Sequence, residues 1–171
     1  TYCNQYLAMA GDTDATMSAE IRFVRALHYF LLMDGWGNIP FTLEPMTKPE
    51  QRSRAQMYEW LEQELIGIEP ALSEAKAKKS TDAGYGRVDK AACWLLLSRL
   101  YLNSEIYTGT AQWQRAKEYA DKVIKSSYRL NTVGKGGWTA YQMLFMGDNG
   151  ETDAAYEALL PLLQDGLTTT S

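Results

Sequence analysis

The stretch from Asp14 to Asp34 limits the fold more than any other part of this chain. Ile21, Val24, His28 and Leu31 fall on one stripe at helical spacing, and Phe23, Leu27 and Phe30 fall on a neighbouring one. A helix apolar over most of its circumference has to be covered on more than one side, so this one demands several helical partners. Thr16 or Ser18 is placed to cap its start, Glu20 lies in the first turn where negative charge suits the helix dipole, and Gly35 ends it. His28, on the apolar stripe, is expected to be an interior residue.

The partners follow in order. After an irregular stretch containing Trp36, Pro40, Pro45 and Pro49, a second helix is predicted from about Ser53 to Ala77. Ser53 is its cap, Met57, Trp60, Leu61, Leu65, Ile68 and Leu72 are its buried face, and Pro70 kinks or splits it near Ile68. Lys76 to Lys79 then form a solvated, basic C-terminal end. A third helix runs from Asp89 to Ser104, and Tyr107–Thr110 turns the chain into a fourth, Ala111 to Ser127. On that fourth helix Trp113, Ala116, Tyr119, Ala120, Val123 and Ile124 share a face. A Gly-rich loop, a short helix from Ala140 to Met146 and a last one from Asp153 to Leu160 complete the reading. No alternating strand is found, so the fold class is all-α.

Composition narrows the chemistry. With 171 residues, 46% of them apolar, five Trp and eleven Tyr, the chain can build a substantial core and is not disordered as a whole. Its net charge of −4 argues against nucleic acid as a partner, because phosphate neutralisation needs a clustered basic surface. No apolar run reaches the ~20 residues that span a bilayer. A single histidine excludes two-His zinc sites and the HExxH motif within this chain. Cys3 and Cys93 make neither a disulfide framework nor a metal pair. Gly134 to Gly137 lacks the phosphate-loop pattern, and Asp148 to Glu151 lacks EF-hand spacing. No cofactor and no metal site is expected. The 21 carboxylates are spread over solvent-facing helical positions and turns, without a pair that suggests glycoside hydrolysis, so the chain is read as non-catalytic.

A repeat signature lies in the third helix. Trp94-x2-Leu97-Ser98-x2-Tyr101 matches the W-x2-L-G-x2-Y pattern of a tetratricopeptide unit, with Ser for Gly. Large residues there fill the groove between paired helices, and the small residue admits the second helix, on which Ala116 and Ala120 allow close approach. The expected architecture is therefore tetratricopeptide-like helical hairpins, an α–α superhelix with long loops. Periodicity alone leaves open a generic protein-binding scaffold of this type.

Several blocks go further. Ala19-Glu20-Ile21-Arg22-Phe23-Val24-Arg25-Ala26-Leu27-His28-Tyr29-Phe30, followed by Trp36-Gly37-Asn38-Ile39-Pro40-Phe41, resembles the A-E-x-R-F-x-R-A-x-x-Y…G-x-x-P signature of SusD/RagB-type lipoproteins. Gly86-Arg87-Val88-Asp89-Lys90-Ala91-Ala92 and the run Leu97 to Asn103 are similar to that family's next block, and Trp113 to Ile124, Leu144-Phe145 and Asp148-Asn149 fit in the same order. The resemblance covers about Ala19 to Gly166, and Gln164-Asp165-Gly166 suggests its starch-binding branch.

By that resemblance, the whole protein is expected to behave as members of the family do. Members bind oligosaccharide or polysaccharide at the bacterial cell surface and pass it to a SusC-like TonB-dependent outer-membrane transporter. They are held at the outer membrane by a lipid anchor, which this segment does not contain; no targeting signal precedes Cys3, so Cys3 is not the lipid-bearing residue. Members are roughly three times as long as this chain, in line with multi-layer proteins. Residues 1–171 are thus expected to be one helical region inside a longer protein, with hairpins at about 14–77 and 88–127 and a loop with short helices at 128–171. The apolar Leu159 to Leu163 segment, which needs a surface to bury it, agrees with that.

Sugar recognition needs aromatic faces on pyranose C–H surfaces and polar side chains on hydroxyls. Trp60 and Trp94 sit on apolar helical faces and are expected in the core, and Trp36 is expected to pack against a helix end. Trp138 follows Gly134, Gly136 and Gly137 in a loop, where helical packing gives no reason for an aromatic, and is the leading carbohydrate-binding candidate. Gln164 and Asp165 are the other two.

Overall fold

The computed structural model describes residues 2–11 and 13–163 and is mostly helical. Helix α1 (Tyr2–Ala10) leads into the long α2 (Ala15–Trp36). A short antiparallel ladder, β1 (Ile39–Phe41) with β2 (Glu50–Arg52), precedes α3 (Arg54–Ile68). Then come α4 (Lys90–Leu102), α5 (Ser104–Thr108), α6 (Trp113–Ile124) and the one-turn α7 (Ala140–Met143).

The ends of α2 differ from the sequence expectation. Asp14 is the cap, its Oδ1 accepting from Met17 N at 2.9 Å, while Ser18 Oγ turns back to the Gly11 carbonyl. Glu20 is not in the first turn; it is buried and receives Arg87 Nε at 3.0 Å. The helix runs through Gly35 and ends at Gly37, whose φ of 78° suits a residue without a Cβ.

His28 is corrected too. It is exposed, with Nδ1 2.7 Å from its own helix's Val24 carbonyl. The buried face is Ala19, Phe23, Ala26, Phe30 and Met33, so the stripe through Ile21, Val24, His28 and Leu31 is the outer one. Two adjacent apolar stripes cannot be ranked by periodicity when both are apolar.

The two strands were not foreseen. Each is three residues long and Pro40 lies in the first, so neither gives a readable alternation. Ile39 and Phe41 nevertheless point into the core, and Phe41 stacks against Tyr29 and Trp60 with centroids 5.0 and 4.9 Å apart.

Helix α3 begins as expected, with a capping box: Ser53 Oγ accepts from Gln56 N and Gln56 Oε1 accepts from Ser53 N. It ends at Ile68, and Glu69–Ala71 adds one 3₁₀ turn around Pro70. Residues 72–77 are not helical, so Lys76 to Lys79 do not terminate a helix. Lys76 N donates to Asp89 Oδ2, Lys78 Nζ to the Gly84 carbonyl and Lys79 Nζ to Asp153. Tyr107 and Thr108 belong to α5 instead of a turn, and Gly109 (φ 80°) makes the reversal.

Contacts along the helices give their directions. Arg22 meets Glu64, Tyr29 meets Trp60, and Gly37 faces Arg54, so α2 and α3 run antiparallel. In the same way Trp94 faces Lys122, Ser98 faces Ala116 and Tyr101 faces Arg115, so α4 and α6 form a second antiparallel pair. Here the tetratricopeptide pattern takes physical form. Ser98 Oγ donates to the Ala116 carbonyl at 2.9 Å, and the small pair brings the helices together beside Tyr101 and Tyr119. Tyr101 is fully buried and its hydroxyl donates to Glu62 of α3. Trp60 and Trp94 are half-buried; Trp94 Nε1 donates to Glu69 Oε1. Trp113 and Ile124, at the two ends of α6, are exposed, because the helix packs mainly through Ala116 and Tyr119.

The two pairs meet along α3. Cys93 lies against the Leu65 carbonyl and Tyr58 against Tyr107, over a core in which Leu61, Leu65, Leu97 and Leu100 are fully buried. Each such Leu contributes roughly 1.5–3 kcal/mol by leaving water. Burial pushes the Cys93 thiol up to about 12, which leaves it protonated and inert.

Candidate functional site

Sequence patterns that build the helices do not explain the loop after α6. Lys135–Trp138 is a two-residue hairpin turn: Trp138 N donates to Lys135 O at 3.1 Å and Lys135 N to Trp138 O at 3.2 Å. Gly136 and Gly137, with φ of 61° and 86°, occupy its centre, where a side chain would be strained. Gly134 is required for a different reason. A Cβ there would lie 2.3 Å from the Trp138 carbonyl oxygen.

The base of the loop is tied down. Asn131 Nδ2 donates to the carbonyls of Val133 and Ala140, and Asn131 N donates to Glu157 Oε2. Thr139 caps α7 in a reciprocal box with Gln142. Lys135 Nζ lies 3.5 Å from Asp148, and Asn149 Nδ2 bonds the Leu144 carbonyl.

This framework presents Trp138 to solvent with 52% of its surface exposed. The sequence reading stopped at that residue. Tyr141 and Phe145, three and seven positions on, are 70% and 71% exposed and pair edge to face at 5.2 Å. Tyr141 lies on the one-turn α7 and Phe145 just beyond it, while Met143 between them is the residue of that turn that is buried.

Beyond this aromatic surface the same segment borders a polar cleft of about 740 Å3, formed by Ser80, Tyr85, Asn149, Glu151, Glu157 and Leu163 among others. Glu151 and Glu157 are among its lining residues, and burial raises the Tyr85 phenol above its ordinary range. Gln164 and Asp165 lie outside the described residues. Trp36, expected against a helix end, is instead 75% exposed just before the Gly37 reversal.

Among the described residues no group of three or more His, Cys, Asp and Glu is placed to hold a metal ion, and no helix is long and apolar enough to cross a membrane. The buried carboxylates are engaged in structure. Glu64 takes both Arg22 and Arg25, and their hydrogen bonds outweigh the upward push of burial, so it ionises below its ordinary range. Asp89 caps α4 through Ala91 N and Ala92 N and also accepts from Lys76 N and Tyr128 Oη.

Stacked antiparallel hairpins carrying an exposed aromatic loop define a tetratricopeptide-like scaffold. No family profile matches the chain. The starch-binding protein SusD of Bacteroides thetaiotaomicron is 42% identical over 164 residues, which is 93% of this chain and 28% of that protein. Among solved structures, surface glycan-binding protein A from Bacteroides uniformis is 25% identical, with a TM-score of 0.67 over 88% of this chain and 34% of that one. A SusD superfamily protein from Bacteroides fragilis has the same fold at 18% identity, with a TM-score of 0.74 over 99% of this chain and 36% of that one. The chain belongs to the SusD-like family. It spans just over a quarter of the length of the curated relative it matches, 28%.

Proposed function

We propose that the chain is the helical scaffold of a non-catalytic glycan-binding protein that works at the bacterial outer membrane and delivers oligosaccharide to a SusC-like TonB-dependent transporter. The observation that carries this reading is the 42% identity to a starch-binding protein along nearly the whole chain. Within the scaffold, Trp138 supplies an aromatic face and Gln164 and Asp165 supply polar contacts. A starch-type α-glucan is the first ligand to try, because it is what the matched relative is named for. The non-catalytic reading rests on the likeness to a protein named for binding.

Affinity electrophoresis of the full-length protein through gels of starch, pullulan, dextran, xylan, mannan or no polysaccharide tests this. Retardation in a glucan gel with no reducing sugar released is expected. Release of reducing sugar would overturn the non-catalytic reading. Retardation only by xylan or mannan would replace the α-glucan assignment.

A further inference from the structure

Val24, His28 and Leu32 follow one another at steps of four along the outer side of α2. With Tyr2 and Cys3 of α1, Pro40 of β1 and Pro49 they line a cavity of about 590 Å3. Small-molecule sites commonly measure about 300–1,000 Å3 and have mostly apolar walls with a few placed polar groups.

The walls are joined to one another by hydrogen bonds. Asn4 is buried, with Nδ2 donating to the Thr42 carbonyl at 3.0 Å and Oδ1 accepting from Arg25 Nη1 at 3.1 Å. Tyr29 Oη donates to the same carbonyl at 2.7 Å and accepts from Thr42 N at 3.1 Å. Helix α1, helix α2 and the chain leaving β1 are thus fixed before any ligand arrives, which lowers the entropic cost of binding.

Charge decides the kind of ligand. Arg25 and His28 line the cavity, and no Asp or Glu does. Arg22 and Arg25 share one carboxylate, that of Glu64, so among the described residues one positive charge is left without a counter-ion. The Arg25 side chain is 10% exposed, and its Nε has no hydrogen-bond partner. A charge so far out of water acts more strongly on its surroundings than a solvated one. His28 Nδ1 faces the Val24 carbonyl, which can only accept, so Nδ1 carries the proton and Nε2 is the ring nitrogen left for a ligand.

We propose that this cavity binds an amphipathic carboxylate, with its apolar tail among Val24, Leu32, Pro40 and Pro49 and its anionic head nearest Arg25 and His28. The site is separate from the glycan-binding reading and does not depend on it. A sugar covered in hydroxyls is poorly served by walls with so few polar groups, and an apolar cation meets two basic side chains.

The test uses the full-length protein with decanoate as probe and decyltrimethylammonium, of equal tail and opposite charge, beside it. Isothermal titration calorimetry is expected to show decanoate binding at least tenfold more tightly than the cation. Leu32→Glu puts a carboxylate into the wall at an exposed position, so circular dichroism should be unchanged while decanoate affinity falls at least tenfold. Cys3 reports occupancy from the wall itself. Its alkylation by iodoacetamide, mapped by peptide mass spectrometry, is expected to slow at least threefold with decanoate bound, while buried Cys93 stays unmodified throughout. Equal affinity for cation and anion would overturn the proposal, because the tail alone would then be recognised. Decanoate binding that leaves Cys3 unprotected, or that survives Leu32→Glu undiminished, would lie elsewhere and overturn the site. A Cys3 beyond the reach of iodoacetamide in the ligand-free protein would overturn it too, since the cavity would then be filled by the protein's own chain. None of these outcomes alters retardation in glycan gels, so the two readings fail separately.

Discussion

Between α2 and α3, side chains do the joining: Arg22 and Arg25 close on Glu64, and Tyr29, Phe41 and Trp60 interlock over the strand pair. Between Tyr128 and Leu163 the joints are mostly to backbone, as when Asn131 spans two carbonyls, Arg129 N bonds Tyr156 O and Ser80 N bonds Gly150 O. The first region spends its aromatic residues on the interior; the second turns several of them outward. Packing by side chains yields a stable frame with few options at its surface. Holding a chain by its backbone leaves the side chains free to meet something else, which is what a recognition loop requires.

Asp89 is where the second region is tied to α4, and its loss should be the largest single effect. Its carboxylate caps α4 and also holds Lys76 N and the hydroxyl of Tyr128, all with 2% of the residue exposed. Asp89→Ala removes a cap and strands buried donors, at a combined cost of about 4 kcal/mol. Urea unfolding should show that loss, and hydrogen exchange should show the 128–163 segment opening with α4. If that segment stayed protected while α4 loosened, the coupling would be wrong.

The next effect belongs to the frame alone. Glu64 is 9% exposed between two arginines, and Arg25 beside it is 10% exposed. Glu64→Gln leaves Arg25 buried without its counter-ion and should cost about 3 kcal/mol, a little less than a fully enclosed pair because Arg22 reaches solvent. The sign with pH is fixed by the lowered ionisation of Glu64. The ion pairs contribute in full above its unfolded value near 4.5, and their contribution is lost as pH falls below that toward the folded value. The wild type should therefore lose stability relative to Glu64→Gln on acidification, with the difference shrinking below pH 4.5. A pH-independent gap would assign the role of Glu64 to packing.

How much of this was legible follows the same division. The cap at Ser53, the break at Pro70 and the Trp94–Tyr101 pattern are local rules, and each appears in the structure where the sequence put it. What failed needed knowledge of the other side. His28 sat on one of two equally apolar stripes, and only the position of α3 decides which is inside. The strand pair depends on a ladder between residues about ten apart, with a proline in it. Residues 72–77 lack helix because Lys76 N is claimed by Asp89, a contact across thirteen positions. Trp138 was visible as an aromatic among glycines, whereas the exposure of Tyr141 and Phe145 follows from α7 being a single turn, a boundary the sequence does not mark.

The smallest effect is the one that separates the regions most cleanly. Gly134→Ala would push a methyl to 2.3 Å from the Trp138 carbonyl, and backbone has to move to relieve it. Because the turn is joined to the rest through hydrogen bonds and not through the core, the disturbance should stay there. Expected are a cost of about 1–2 kcal/mol confined to the turn and faster exchange of the Lys135 and Trp138 amides. The urea midpoint of the helices should be unchanged. Gly109→Ala is the control. Its φ of 80° is strained for alanine, yet no atom lies within 4 Å of the new methyl, so it should cost about 1 kcal/mol with no effect on the turn. If Gly134→Ala instead lowered the midpoint of the whole protein, the loop would be part of the frame, and its exposed aromatics could not vary independently of the fold.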